Sequence, residues 1–263
     1  MNEPVTVLSR PFVLDDGVPF AHRHLGPRDS DLTRMLEVVG ARDLAPGRRV
    51  LVAGCGTGAL AERLAEACPD IEYLGVDLSP SMLARARARR AWPRGFTFVQ
   101  GDVDALLSGN AGGFDRVASV NVIWTLPDPG GSLARMTAGL RPGGHMVHTT
   151  PRLRFRADVV VWRHLRAQTG WALPRALLGL PILLVAGLLN LLLVAQRALR
   201  GGGPQARRRW SKEGLSSLLR EAGAEPRPVR PCYAGQGHLL VAGKAGAGHG
   251  ADHDHDHGHG HEK

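Results

Sequence analysis

The sequence predicts an α/β fold: a doubly wound, mostly parallel sheet with helices on both faces. Three observations predict it. Short apolar runs alternate with helix-prone segments between residues 50 and 150, the pattern that buries a parallel sheet between two helical layers. One of these runs, Val50, Leu51, Val52 and Ala53, passes directly into Gly54, Gly56 and Gly58 and then into a helix-prone stretch. At 263 residues the chain is long enough for one large domain of this kind plus an insertion.

The strand, glycine turn and helix start outline a small-ligand site. Glycine lets the backbone take positive φ and lets a ligand approach closely. The helix N-terminus adds unpaired N–H groups and a positive dipole end, which suit a polar, nucleotide-like cofactor. The turn leaves two cofactors open. Gly54, Gly56 and Ala59 satisfy the dinucleotide fingerprint. Gly54, Gly56 and Gly58 satisfy the tighter G-x-G-x-G turn of S-adenosylmethionine (SAM) enzymes. A turn that serves only helix–strand packing is a third reading.

The next elements follow in order. A second strand ends at Asp77, and Ser79 and Pro80 open the next helix as N-cap and first-turn proline. An acidic residue about 20 positions past the glycines can accept from both ribose hydroxyls of either cofactor. A third strand, FTFVQ, leads into Gly101 and Asp102, whose carboxylate can accept from the exocyclic amine of adenine. A fourth strand runs from Phe114 to Val120, followed by a polar, turn-prone mouth over residues 121–129. Gly143 and Gly144 form a turn before a fifth strand, Met146 to Thr149.

GCGTG, VDLSPSML, GD, NVxxxLPDP and LRPGG stand here in one order and spacing. In this the chain resembles the class I SAM-dependent methyltransferases, particularly the broad small-molecule group. The resemblance covers residues 46–150 and resumes over 210–244, which look like the family's final helix and last two strands. It implies a Rossmann-like sheet of seven strands; the hydrophobic helical insertion after the fifth is this chain's own feature. It implies SAM as cofactor, with contacts at Gly54, Cys55, Gly56, Gly58, Asp77, Leu78, Met82, Asp102, Val103 and Asn121. It names no catalytic residue. Two positions depart from the family. Val52 stands where an acidic residue often helps hold the methionine end of SAM, and Trp124 and Thr125 replace the Glu-His of the usual mouth motif.

Composition narrows the partners. The net charge of +9 comes almost wholly from arginine, and aromatic residues make up 5%. No stacking or base-reading motif accompanies the arginines, so nucleic acid is not an expected partner. Cys55, Cys68 and Cys232 have no metal-ligand spacing and read as reduced cytoplasmic thiols. Residues 1–10 are polar and lack the apolar core of a signal peptide.

The chain divides into a leader or lid (1–45, with a helix over 30–39), a core (46–151), an insertion (152–209), the end of the core sheet (210–244) and a tail (245–263). Residues 176–196 carry no charge. As a helix they would span about 31 Å, enough for a hydrocarbon core. A single crossing would leave the last strands on the far side of the membrane from their own sheet. The segment is therefore expected to return, as a re-entrant or interfacial element or as a buried cap. Pro181, Gly187 and Asn190 offer places to bend. Just before it, Phe155, Val159, Trp162 and Leu165 fall near helical spacing among Arg156, Arg163 and Arg166, a pattern suited to an anionic membrane surface. The His- and Asp-rich tail is expected to be a disordered, weak chelator of divalent metals, with no metal site in the fold itself.

Methyl transfer from a sulfonium needs in-line approach of a nucleophile, so the protein supplies mainly orientation and dehydration. A general base is required only if the acceptor loses a proton; His22, His24 and His148 are the candidates. The sequence thus reads as a SAM-dependent methyltransferase at the cytoplasmic face of a membrane, acting on an apolar, lipid-like small molecule. A soluble substrate beneath the insertion as a lid is the first alternative. An NAD-dependent oxidoreductase, disfavoured by the third-strand and mouth motifs, and a non-catalytic SAM-binding protein are the others.

Overall fold

The computed structural model describes residues 44–109, 112–152, 188, 210–232 and 235–244. Strand β1 (Arg49–Ala53) is followed by α1 (Ala59–Ala67), β2 (Glu72–Asp77), α2 (Pro80–Ala88), β3 (Phe96–Gln100), α3 (Val103–Ser108) and β4 (Phe114–Val120). A 3-10 turn (Ile123–Thr125) then leads to α4 (Pro129–Gly139), β5 (Leu140–Pro151), α5 (Lys212–Glu221), β6 (Ala224–Pro226), β7 (Arg230–Cys232) and β8 (Gly237–Lys244). The strand order is β3-β2-β1-β4-β5-β8-β6, with β7 also on β8. β1 to β5 pair in parallel, and β8 is antiparallel to β5. This is the doubly wound, mostly parallel sheet that the alternation of strands and helices predicts.

The period-2 alternation of strand side chains separates two cores. Val50 and Val52 pack with Tyr73, Leu60 and Leu64 of α1, and Leu83 and Ala86 of α2. Leu51 and Ala53 pack on the opposite face with Leu107 of α3, Leu133 and Met136 of α4, and Leu215 and Leu218 of α5. Burial on both faces explains why the strands read as continuous apolar runs. Helix starts follow from side-chain caps: Ser79 Oγ accepts from Met82 N–H, Asp102 from Asp104, Asp128 from Gly131 and Ser211 from Gly214.

The described sheet has eight strands where seven are expected. β6 and β7 lie one after the other along the same edge of β8, Ala224 opposite Lys244 and Cys232 opposite Gly237. They are one edge strand broken in the middle. Pro226, Pro228 and Pro231 remove ladder donors there. Arg227 N–H still reaches the Val241 carbonyl at 2.8 Å, which keeps the broken strand in register. β5 is also longer than Met146 to Thr149: the Gly143 turn, at φ 73°, is absorbed into the strand, and the pairing with β4 shifts between Phe114 and Arg116. The expected helix at 30–39, the insertion other than Arg152 and Leu188, and the tail lie outside the described residues. Leu188 itself is helical and exposed. Among the described residues, no helix is long and apolar enough to cross a membrane.

The amino ends of three strands meet on one carboxylate. Asp115, buried at the start of β4, accepts from Arg48 Nη1 at 2.9 Å and from the backbone N–H of Arg49 at 2.8 Å. Arg141 at the start of β5 also pairs with it. Breaking a buried pair by removing one partner costs about 3–5 kcal/mol, and partial exposure of both guanidiniums lowers the figure here. Asp115→Ala is expected to reduce unfolding free energy by about 2–3 kcal/mol in a urea titration. A loss below about 1 kcal/mol would show that the ladders alone align these strands.

Candidate functional site

The carboxyl ends of β1, β2, β3 and β4 stand side by side, and the chain reverses its winding between β1 and β4. Such a switch point opens a crevice where open α/β sheets bind ligands. Four loops line this rim: residues 54–58, 77–79, 100–103 and 121–125.

The glycine loop turns through three left-handed residues, Gly54 (φ 65°), Gly56 (φ 55°) and Gly58 (φ 78°). They serve different ends. A Cβ on Gly54 would lie 2.3 Å from Val122 Cγ2, and one on Gly58 would lie 3.2 Å from Ala86 Cβ. These two glycines let the loop pack against its neighbours. A Cβ on Gly56 would meet nothing within 4 Å. Gly56 therefore turns its free side to open space on the rim, where a ligand can lie against the backbone. Gly58 is also the N-cap of α1 and offers no side-chain cap, so the first turn of that helix keeps N–H groups available to an anionic or polar ligand.

The loop is pinned from β2. Asp77 Oδ2 accepts from Gly56 N–H at 2.8 Å, and Oδ1 accepts from Ser79 N–H at 2.9 Å. A carboxylate has about four lone-pair sites, so each oxygen keeps capacity for a ligand hydroxyl. The Val76 carbonyl takes both Gly54 N–H at 2.7 Å and Cys55 N–H at 3.0 Å. Cys55 is buried below the loop; burial first, then the charge of Asp77, holds its thiol protonated well above its ordinary range. It is a packing group rather than a thiolate.

The remaining sequence-predicted positions fall along the same rim. Leu78 is half-buried, and its carbonyl lies 3.4 Å from Gln100 Nε2. Met82 is buried in the first turn of α2. Gly101 N–H donates to the Asp77 carbonyl at 3.0 Å, which brings β3's end beside β2's. Asp102 accepts from Asp104 N–H at 2.9 Å as the cap of α3, and Val103 is buried just behind it. Asn121 takes φ 57°, the one positive φ outside glycine among the described residues, and its N–H donates to the Thr149 carbonyl at 3.0 Å. The first departure, Val52, is buried in the core. In the mouth, Thr125 Oγ1 donates back to the Val122 carbonyl at 2.6 Å.

His148 is not on the rim surface. It is fully buried on β5, with Nδ1 2.8 Å from Ser119 Oγ, and burial lowers its pKa to about 3. His22 and His24 lie outside the described residues. Three contributors were not legible from motifs. Val122 is the wall that requires Gly54, Ser79 N–H completes the hold on Asp77, and the Trp124 indole Nε1 is buried without a hydrogen-bond partner. Among the described residues, no group of three or more His, Cys, Asp or Glu side chains could hold a metal.

Residues 50–144 match the family model of a methyltransferase domain. The trans-aconitate 2-methyltransferase of Deinococcus radiodurans is 38% identical over 117 residues, 42% of this chain and 43% of that protein. A ubiquinone biosynthesis O-methyltransferase of Vibrio parahaemolyticus is 31% identical over 104 residues, 40% of this chain and 44% of that protein. The chain thus spans less than half the length of these curated relatives. The structure of magnesium protoporphyrin IX methyltransferase from Synechocystis, with bound SAH, superposes with a TM-score of 0.53 at 17% identity, covering 82% of this chain and 83% of that one. That last likeness is one of fold.

Proposed function

We propose that this chain, whose residues 50–144 match the family model of a methyltransferase domain, is a class I SAM-dependent enzyme that transfers a methyl group from SAM to an apolar small molecule presented at a membrane surface. The observation that carries the cofactor assignment is the Gly56 cradle. Its backbone is open to a ligand on one side and pinned on the other by a carboxylate with lone pairs to spare. Asp77 is suited to both ribose hydroxyls, Gly56 and the first turn of α1 to the polar amino-acid portion, and Leu78, Met82 and Val103 to the adenine. Asp102, the cap of α3, is suited to the exocyclic amine. When bound, SAM supplies the electrophilic methyl. The chain's own part is to orient the two reactants and exclude water.

The second half of the proposal rests on the insertion's sequence. The uncharged run 176–196 and the arginines near it suit a monotopic or re-entrant element at the cytoplasmic face, beside the mouth. A soluble substrate under a lid is the competing arrangement. On the same reading the core is residues 46–151 with 210–244, preceded by a leader over 1–45 and followed by a metal-chelating tail over 245–263.

Calorimetry tests the cofactor. Wild-type protein is expected to bind SAM and not NAD. Asp77→Asn sets an amide against two backbone N–H donors and removes the charge, so SAM affinity is expected to fall by about 10- to 150-fold, the equivalent of about 1.5–3 kcal/mol. NAD binding without SAM binding would move the assignment to an oxidoreductase, and unchanged SAM affinity in the variant would remove Asp77 from the site.

Flotation with liposomes tests the membrane contact. At about 1 kcal/mol per basic residue near an anionic surface, the arginines are expected to hold the protein on anionic vesicles and to release it with salt. Replacing Leu184, Leu188 and Leu192 with Ser should abolish flotation and leave SAM affinity unchanged. Equal recovery with neutral and anionic vesicles, together with unfolding of the triple variant, would show a buried lid instead.

A further inference from the structure

β5 carries polar side chains deep in an otherwise apolar face. Met146, His148 and Thr150 point to one side of the sheet by alternation, the side where Met146 packs with Leu240, Ile123 and Trp210. His148 stands opposite Ser119 of β4 on one flank and Leu240 of β8 on the other. Thr150 stands opposite His238. All four polar residues are buried: Ser119, His148 and Thr150 at 0% and His238 at 4% exposure.

Their hydrogen-bonding capacity is left over in a consistent way. Ser119 and His148 Nδ1 satisfy each other at 2.8 Å, and His148 Nε2 has no partner. Thr150 Oγ1 has none, and neither has His238 Nδ1, although the His238 ring hydrogen-bonds the Trp210 backbone. Trp124 packs against the same apolar cluster, and its indole Nε1 is also unpartnered. Buried polar atoms are nearly always paired in folded proteins. Four unpaired ones, three on the paired strands β5 and β8 and one on the turn that follows β4, call for something that pairs them. This place borders the glycine loop, since Val122, which closes on Gly54, lies two residues before Trp124.

The set has a definite chemistry. The indole is a donor only, the Thr150 hydroxyl both gives and accepts, and each neutral imidazole presents one open nitrogen. No carboxylate and no guanidinium belongs to the set. Burial lowers the pKa of both His148 and His238, and the charges of Arg152 and Lys212 lower His238 further, so neither ring carries charge at neutral pH. The open atoms themselves carry no charge, and the cations near His238, Arg152 and Lys212, are exposed and accompanied by Glu213, so the set offers a carboxylate no buried counter-charge. It suits a neutral hydroxyl, which also gives and accepts.

We propose that Trp124, His148, Thr150 and His238 form an uncharged polar seat that recognises a neutral hydroxyl on the apolar methyl acceptor. The seat rests on the methyltransferase reading, and it narrows the acceptor class from apolar small molecules to hydroxylated ones and away from carboxylic acids. These residues are recognition groups, and their measurable effect is on acceptor affinity rather than on SAM.

The test uses the full chain loaded with SAH and two probes of one shape, phenol and benzoate. Imidazole resonances of His148 and His238 are followed by NMR during titration. Phenol is expected to shift both, and benzoate at equal concentration to shift neither. Thr150→Val keeps the side-chain shape and removes an unpartnered hydroxyl. It is expected to weaken phenol binding at least fivefold, to leave SAH affinity unchanged, and to leave the melting temperature equal or higher. Equal responses to phenol and benzoate, or none to either, would overturn the seat, as would a Thr150→Val protein that melts lower and binds phenol as before, the mark of a structural hydroxyl. Failure of the wild type to load SAH would instead remove the methyltransferase reading, a separate result seen before any probe is added.

Discussion

The candidate site depends on one carboxylate. Asp77 Oδ2 holds the Gly56 N–H and Oδ1 holds the Ser79 N–H, so the loop after β1 and the helix start after β2 are fixed to each other. Charge-assisted hydrogen bonds of this kind are roughly twice as strong as neutral ones. They add to the hold of the Val76 carbonyl on Gly54 and Cys55 N–H, and they act on the middle of the loop. Gly54, Gly56 and Gly58 are all left-handed, and glycine loses more conformational freedom on ordering than any other residue. Parallel pairing brings the ends of β1 and β2 level, Ala53 beside Val76, and the carboxylate converts that alignment into a shaped loop.

The two ends of the sheet use acidic residues for different purposes. At the amino end Asp115 is buried and held by Arg48, Arg141 and the Arg49 backbone. At the carboxyl end Asp77 is partly exposed and bound to backbone N–H groups alone among the interactions described. The first arrangement fixes strand alignment. The second fixes a loop and keeps acceptor capacity facing the rim. A ligand requires this asymmetry: rigid support below and unspent hydrogen-bonding groups above.

Much of the fold was legible because its signals are local. Ser79-Pro80 marked a helix start through cap chemistry, the apolar runs marked strands, and Phe114 to Val120 emerged with both ends as read. The broken edge strand was harder. Pro226, Pro228 and Pro231 forecast the interruption, but only the partner β8 shows that both halves share one edge. The site divides in the same way. The glycines and Asp77 announce themselves by spacing. The difference between Gly54 and Gly56 does not, because it depends on Val122, nearly 70 residues away in sequence. His148 read as a residue flanking the mouth, yet the pairing of β5 between β4 and β8 places it in the interior. Its unpartnered nitrogen, like those of Trp124 and His238, is a property of packing that no motif records.

The central claim is that the glycine loop divides its labour, Gly54 for packing and Gly56 for the ligand. Paired substitutions measure this directly. Forcing a Cβ onto a left-handed residue costs roughly 1–2 kcal/mol by itself. Gly56→Ala should lose about that much stability and no more, because the new methyl meets open space, and it should lower SAM affinity at least tenfold. Gly54→Ala should lose clearly more stability, because Val122 is β-branched and too stiff to yield. Equal destabilisation in the two variants, with SAM bound by Gly56→Ala as tightly as by wild type, would contradict the account.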